Sequence, residues 1–164
     1  MNALAKKKVG EYLNDHFVSS HQKVGTFEKI GNEKVGGNVA SYFCRPDGTV
    51  LHAIAGPVDQ ATFLAEARFA VELHNAASFQ AFAVKTLDSP REQAIYTAAV
   101  KKGFADRLGP GNLKRKGPFL NGTLQERVNT LLYQAPLPPL EVLYPNVWEN
   151  VLNEKLSAAP ISVR

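Results

Sequence analysis

The chain is short of several residue types on which chemistry depends. It has a single cysteine, Cys44, among 164 residues. An intramolecular disulfide is therefore excluded, and so is a metal site built from several thiolates. A lone cysteine fits a reducing compartment, and the cytoplasm is the expected setting. No apolar run approaches the roughly 20 residues needed to span a bilayer, so no membrane partner is expected. The charges at Lys6, Lys7 and Lys8 are not followed by an apolar stretch, so the start does not read as a secretory signal. An export signal upstream of Met1 is the alternative. There is no phosphate-binding glycine loop, since Gly36-Gly37-Asn38 is too short and isolated, and no G-x-S-x-G nucleophile elbow. His16, His21, His52 and His74 match no metal-binding spacing, so no metal and no cofactor are expected.

What is present suits a globular protein. The chain is 45% hydrophobic and 21% charged, which is enough apolar material for a sizeable core. The net charge of +4 is unevenly placed. Up to residue 88 the charges balance, and the excess falls on Arg91, Lys101, Lys102, Arg107, Lys114, Arg115 and Lys116. Lys114, Arg115 and Lys116 form the densest basic cluster and are candidate binding residues for an acidic surface. No nucleic-acid reading motif accompanies them, so nucleic acid is not the expected partner.

Periodicity divides the chain. Ala5, Val9, Tyr12, Leu13 and His16 recur at helical spacing and predict an amphipathic helix over residues 3–17. Residues 17–24 read as a short strand. Residues 25–37, with four glycines, read as turns around a short helical or irregular piece. Residues 39–44 and 49–55 are β-prone runs separated by Arg45-Pro46-Asp47-Gly48. Proline at the second turn position, Asp at the third and Gly at the fourth make this a β-hairpin. Gly56-Pro57 ends it. Asp59 then caps a helix whose stripe, Phe63, Ala67, Ala70, Val71 and His74, carries it to about Ala77. Further on, Ser89-Pro90-Arg91-Glu92, Thr123-Leu124-Gln125-Glu126 and Asn146-Val147-Trp148-Glu149 each read as a helix start. The first helix is expected to end near Gly103 and the last to run through Leu156. Residues 109–118 read as a basic loop and 136–145 as a proline-rich connector. Cys44, in an inner strand, is expected to be buried and poorly reactive.

The segment Val9-Gly10-Glu11-Tyr12-Leu13-Asn14-Asp15-His16-Phe17-Val18 resembles the end of the first helix and the start of the next strand in thioredoxin-like proteins. Tyr42-Phe43-Cys44-Arg45-Pro46-Asp47-Gly48-Thr49-Val50-Leu51 is similar to their central hairpin, and Gly56 with Phe63-Leu64 to the glycine and helix that close the fold. The resemblance covers residues 1–80. It implies an α/β fold: a thioredoxin-like sheet, truncated by its first strand, with packed helices. Residues 81–164 would form an α-helical C-terminal extension docked on it. Active members of the family carry a C-x-x-C pair, which is missing here, and a cis-proline before the hairpin strand. That position falls at Val39, within Gly37-Asn38-Val39-Ala40, and a normal trans bond is expected there.

The resemblance thus implies a redox-inactive binding or scaffold module with no catalytic residues. Gly37, Asn38 and Val39 would line its altered groove, and its partner would be a protein. The alternative is the C-terminal part of a thiol-disulfide oxidoreductase whose C-x-x-C lies upstream of Met1. The missing strand leaves a gap that closes if residues 17–24 pair directly with residues 39–44, or that residues 79–86, residues 140–144 or a second copy of the chain would fill. The last case makes the protein a homodimer.

Overall fold

The computed structural model describes residues 3–21, 27–31, 33–36, 38–83, 89–113 and 122–154. A short 3-10 helix, Ala3–Ala5, precedes α1 (Lys7–His16). Two hairpins follow. β1 (Phe27–Ile30) pairs with β2 (Glu33–Gly36), and β3 (Ala40–Cys44) pairs with β4 (Val50–Ala55), as two separate antiparallel sheets. The rest is helical: α2 (Gln60–Ala83), α3 (Ser89–Leu113), α4 (Leu124–Gln134) and α5 (Leu140–Asn146), the last continuing into a π-helical turn, Val147–Val151.

The β3–β4 turn forms for the reasons its residues suggest. Gly48 N–H donates to the Arg45 carbonyl at 3.0 Å, and Arg45 N–H to the Thr49 carbonyl at 2.9 Å. Gly48 has φ +82°, a left-handed conformation that glycine adopts without steric cost. Asp47 Oδ1 accepts from Thr49 N at 3.0 Å and Thr49 Oγ1 at 2.6 Å. Those bonds hold the Asp47 carboxyl below its usual range.

Every residue of β4 is buried, because both faces of this hairpin are covered. On one face Phe43 and Ile54 pack with Val9, Phe63, Ala67 and Ala70 of α1 and α2. On the other, Leu51, Ala53 and Ala55 join Val128 and Leu132 of α4 and Val147, Trp148 and Val151 of the π-helical turn. The C-terminal helices are therefore docked on the hairpin. α2 runs unbroken past residue 80, and its alanines let α3 approach closely. At Gly103 a Cβ would come within 2.3 Å of Leu73 Cδ1.

Several sequence expectations need correction. Residues 17–21 form no strand, and residues 22–24 lie outside the described residues. Of residues 25–37, expected as turns around a short helical or irregular piece, 27–30 and 33–36 instead form the β1–β2 hairpin, with Gly31 at φ +65° after β1. α3 does not end near Gly103. Helical geometry continues to the kink at Gly109 (φ 71°, ψ 162°), which Pro110 follows. Gly109 itself is not helical, residues 110–113 form a short helical stretch beyond the kink rather than loop, and 114–118 lie outside the described residues. Residues 79–83 extend α2 while 84–86 lie outside the described residues, and Leu140–Asn146 is a helix with Pro145 inside it, so among the described residues neither insertion candidate supplies a strand. Asn146 has helical dihedrals (φ −62°, ψ −41°) and caps nothing, because α5 runs through it. Cys44 is exposed rather than buried.

The capping box at α4 is complete. Thr123 Oγ1 accepts from Glu126 N at 3.2 Å, and Thr123 N donates to Glu126 Oε2 at 2.8 Å. α4 carries Gln125, whose Nε2 donates to the Ala53 carbonyl on β4 at 2.9 Å. Thr123→Ala is expected to cost about 1 kcal/mol in chemical denaturation. An unchanged midpoint would show that the cap does not hold α4.

Candidate functional site

Two groups of polar side chains stand out. The first is buried. His52 on β4 is fully buried and Glu66 on α2 is 5% exposed. His52 Nε2 lies 2.6 Å from Glu66 Oε2, and Arg107 on α3 donates through Nη2 to Glu66 Oε1. Phe43, Phe69 and Phe104 surround the imidazole with ring centroids 6.0, 5.1 and 5.8 Å away. The Arg107 guanidinium lies 4.2 Å from the centroid of the Phe69 ring.

Burial pushes the His52 imidazole below its ordinary value, against the pull of the Glu66 bond. Burial alone would raise the Glu66 carboxyl, but the His52 hydrogen bond and the Arg107 charge outweigh it and lower it. The consistent state is an ionised Glu66, a charged Arg107 and a neutral His52 donating from Nε2. His52 Nδ1 is buried without a partner. As a bare acceptor it is cheaper to leave unpaired than a second N–H of an imidazolium. The group binds three elements together, and Arg107 is its most exposed member at 28%.

The second group opens to solvent. A cleft of about 670 Å³ between α2 and α3 is lined by Arg45, His74, Ser78, Phe79, Phe82 and Tyr96 among others. His74 Nδ1 lies 2.7 Å from Tyr96 Oη. The Arg45 guanidinium sits 4.6 Å from the Tyr96 ring centroid. Arg45 Nη1 is 3.2 Å from Asp47 Oδ2 but is not aligned for a hydrogen bond. Burial raises the Tyr96 phenol although Arg45 opposes it, so the hydroxyl stays protonated. Phe79 and Phe82, 75% and 66% exposed, stand one helical turn apart at the rim. This arrangement has aromatic faces and hydrogen-bonding groups but no activated nucleophile, and it suits binding.

The candidate residues Gly37, Asn38, Val39, Lys114, Arg115 and Lys116 are not brought together as a described site. Gly37, Lys114, Arg115 and Lys116 lie outside the described residues. Asn38 N and Nδ2 donate to Glu154 Oε1 at 3.3 and 2.7 Å. Val39 is 42% exposed and its carbonyl accepts from Gly56 N at 2.7 Å. Of the other basic residues of the C-terminal half, Lys102 pairs with Asp106 at 2.5 Å, Lys101 Nζ sits 5.1 Å from the Tyr133 ring centroid and Arg107 holds Glu66. These charges are engaged within the chain. Cys44 is accessible, but burial of part of its surroundings and the Asp47 carboxylate push its thiol up, which disfavours the thiolate.

The chain is a mixed α/β protein dominated by helices, and none of its described helices is long and apolar enough to cross a membrane. No family model, curated protein or solved structure matches it.

His52 and Glu66 both have lowered values in the folded state, so both contributions are intact above their ordinary values and are lost as pH falls. The unfolding midpoint is expected to fall below about pH 6.5, where the unfolded imidazole takes up a proton and the folded one does not. A second decline, from Glu66, is expected below about pH 4.5. His52→Gln should remove the first decline and keep the second. A midpoint flat from pH 7 to 5 would contradict the buried neutral imidazole. At pH 7, Glu66→Ala is expected to cost about 3 to 5 kcal/mol in urea denaturation, since it leaves Arg107 without its buried partner. A loss within 1 kcal/mol would contradict that role.

Proposed function

We propose that the protein is a redox-inactive binding module that holds an apolar, aromatic-bearing segment of a protein partner in the cleft between α2 and α3. The observation that carries the reading is the exposure of Phe79 and Phe82 at the rim of that cleft. Two phenylalanines exposed together on one helical turn are the kind of anchor that interfaces bury. Tyr96, His74 and Arg45 supply a polar floor that can orient a bound backbone or side chain. The redox-inactive part rests on composition: one cysteine can form a mixed disulfide but cannot resolve it within the same chain. The thioredoxin-like reading of residues 1–80 draws its support from α1, the β3–β4 hairpin and α2, with the β1–β2 hairpin lying between the first two. In that reading, two separate two-stranded sheets take the place of the family's larger one.

The test is selection of peptides from a displayed random library on the native protein. Selected peptides are expected to share an aromatic or large aliphatic anchor. Binding should fall at least tenfold for Phe79→Ser and Phe82→Ser, with circular dichroism unchanged. Peptides that bind the variants as tightly as the parent would overturn the reading. So would insulin reduction above the dithiothreitol background that is lost in Cys44→Ser.

A further inference from the structure

The turn residue Arg45 is held from three sides. Its backbone N–H and carbonyl close the β3–β4 turn through Thr49 and Gly48. Its guanidinium carbon lies 4.6 Å from the Tyr96 ring centroid. Its Nη1 is buried and faces Asp47 Oδ2 at 3.2 Å. The side chain is thus fixed in the lining of the α2–α3 cleft, 20% exposed. It makes no side-chain hydrogen bond among the described residues, and of its three nitrogens only Nη1 is buried. Nε and Nη2 are open to solvent. They form the edge of the guanidinium opposite Nη1, where Nε–H and one Nη2–H run parallel and match the two oxygens of a carboxylate. Asp47 does not occupy that edge. Its Oδ1 accepts from Thr49 N and Thr49 Oγ1, and its Oδ2 reaches the Nη1 side alone.

The neighbouring pair adds a donor. Tyr96 Oη and His74 Nδ1 are 2.7 Å apart. If the Tyr96 hydroxyl donates, the imidazole hydrogen sits on Nε2 and has no acceptor among the described residues. If Nδ1–H donates, the hydroxyl hydrogen has none. Two hydrogens share one bond, so in either tautomer one is left over. Glu92 and Gln93, the acceptors that line the same cleft, are exposed and bond to neither Arg45 nor His74. The inner polar groups of the cleft are therefore unpaired donors, beside an apolar rim of Phe79 and Phe82. Their complement is an acceptor close to an apolar anchor.

We infer that the segment held in the α2–α3 cleft carries a carboxylate, which the Nε–Nη2 edge of Arg45 takes in a two-point hydrogen bond while Phe79 and Phe82 cover the segment's aromatic anchor. This rests on the reading of the cleft as a peptide site and names what that peptide must present. The cleft accommodates a single negative charge. Glu92 lines it and Asp47 stands beside Arg45, so a run of acids or a phosphate dianion meets like charge. An Asp or Glu side chain and the free end of a partner chain present the same planar pair of oxygens, and both fit this edge.

Calorimetric titration with synthetic copies of selected peptides tests it, using libraries displayed through either end of the peptide. Selected sequences are expected to hold one Asp or Glu, or a free C-terminus, close to the anchor. Changing that side chain to its amide, or amidating the C-terminus, should weaken binding about tenfold, and whichever change does so identifies the source of the carboxylate. In Arg45→Gln, which keeps the backbone bonds of the turn, the same peptide change should cost less than about twofold. That loss of coupling distinguishes a direct contact from support of the cleft walls. The amide changes are made on the peptide, so they remain decisive even where Arg45→Gln disturbs the turn. Peptides that need Phe79 and Phe82 but are indifferent to both amide changes overturn this inference and leave the cleft reading intact. An amide change that costs as much in Arg45→Gln as in the parent also overturns it. Peptides indifferent to Phe79 and Phe82 overturn the cleft reading, and this inference with it.

Discussion

The Glu66 carboxylate lies almost wholly inside a core of phenylalanines, a place where an unpaired charge would cost several kcal/mol. It is tolerated because His52 donates from one side and Arg107 from the other. Those partners come from β4 and α3, so satisfying one oxygen pair fixes a strand and two helices relative to each other. The aromatic enclosure follows from the same requirement. Phe43, Phe69 and Phe104 exclude water from the imidazole, and that exclusion both strengthens the hydrogen bond and keeps the ring neutral. The long helices could slide along an alanine stripe if only apolar contacts joined them. A charge with two named partners gives their packing a single register.

The sheet depends on this frame in turn. A lone two-stranded hairpin is marginal in water. Here β4 is buried from Val50 to Ala55 because α1 and α2 cover one face and α4 with the π-helical turn covers the other. The cleft between α2 and α3 lies at the far end of the same helix pair, beyond the region that Glu66 clamps. The rigid part of the pair and the receptive part are thus two stretches of the same two helices, and the exposed phenylalanines sit on the stretch without a buried ion pair.

Local chemistry was legible wherever residues at fixed spacing determine the backbone. Arg45-Pro46-Asp47-Gly48 foretold its turn and Thr123 to Glu126 its capping box, because both depend on neighbours in the chain. Asp59 likewise accepts from Thr62 N at 2.7 Å, one turn into α2. Long-range terms were not legible. Gly103 suggested a helix end, yet it is there because α2 passes close by at Leu73. The prolines around α5 suggested a connector, yet Pro139 pairs with Thr49 and Pro145 sits within the helix. The His52–Glu66–Arg107 group had no sequence signal at all. Its members lie on three elements at spacings that mean nothing until those elements pack. The exposure of Cys44 was missed because the end of a hairpin strand and the middle of a sheet read alike in one dimension.

The closure of the β4 edge has a kinetic side. Its partners are remote in sequence: Gln125 reaches Ala53 across 72 residues, and the Pro138 carbonyl that accepts from Val50 lies further along still. Contacts of that span pay their loop-closure entropy before they return any stabilisation, so they form late. The β3–β4 hairpin, whose turn is local, forms early. During synthesis the hairpin therefore leaves the ribosome with both edges bare and an apolar strand between them. It stays so until the segment from Gly122 to Glu154 has been made and has folded back. The interval between those events is when the hairpin's backbone is most open to wrong pairing, and slowing translation between α3 and α4 would lengthen it.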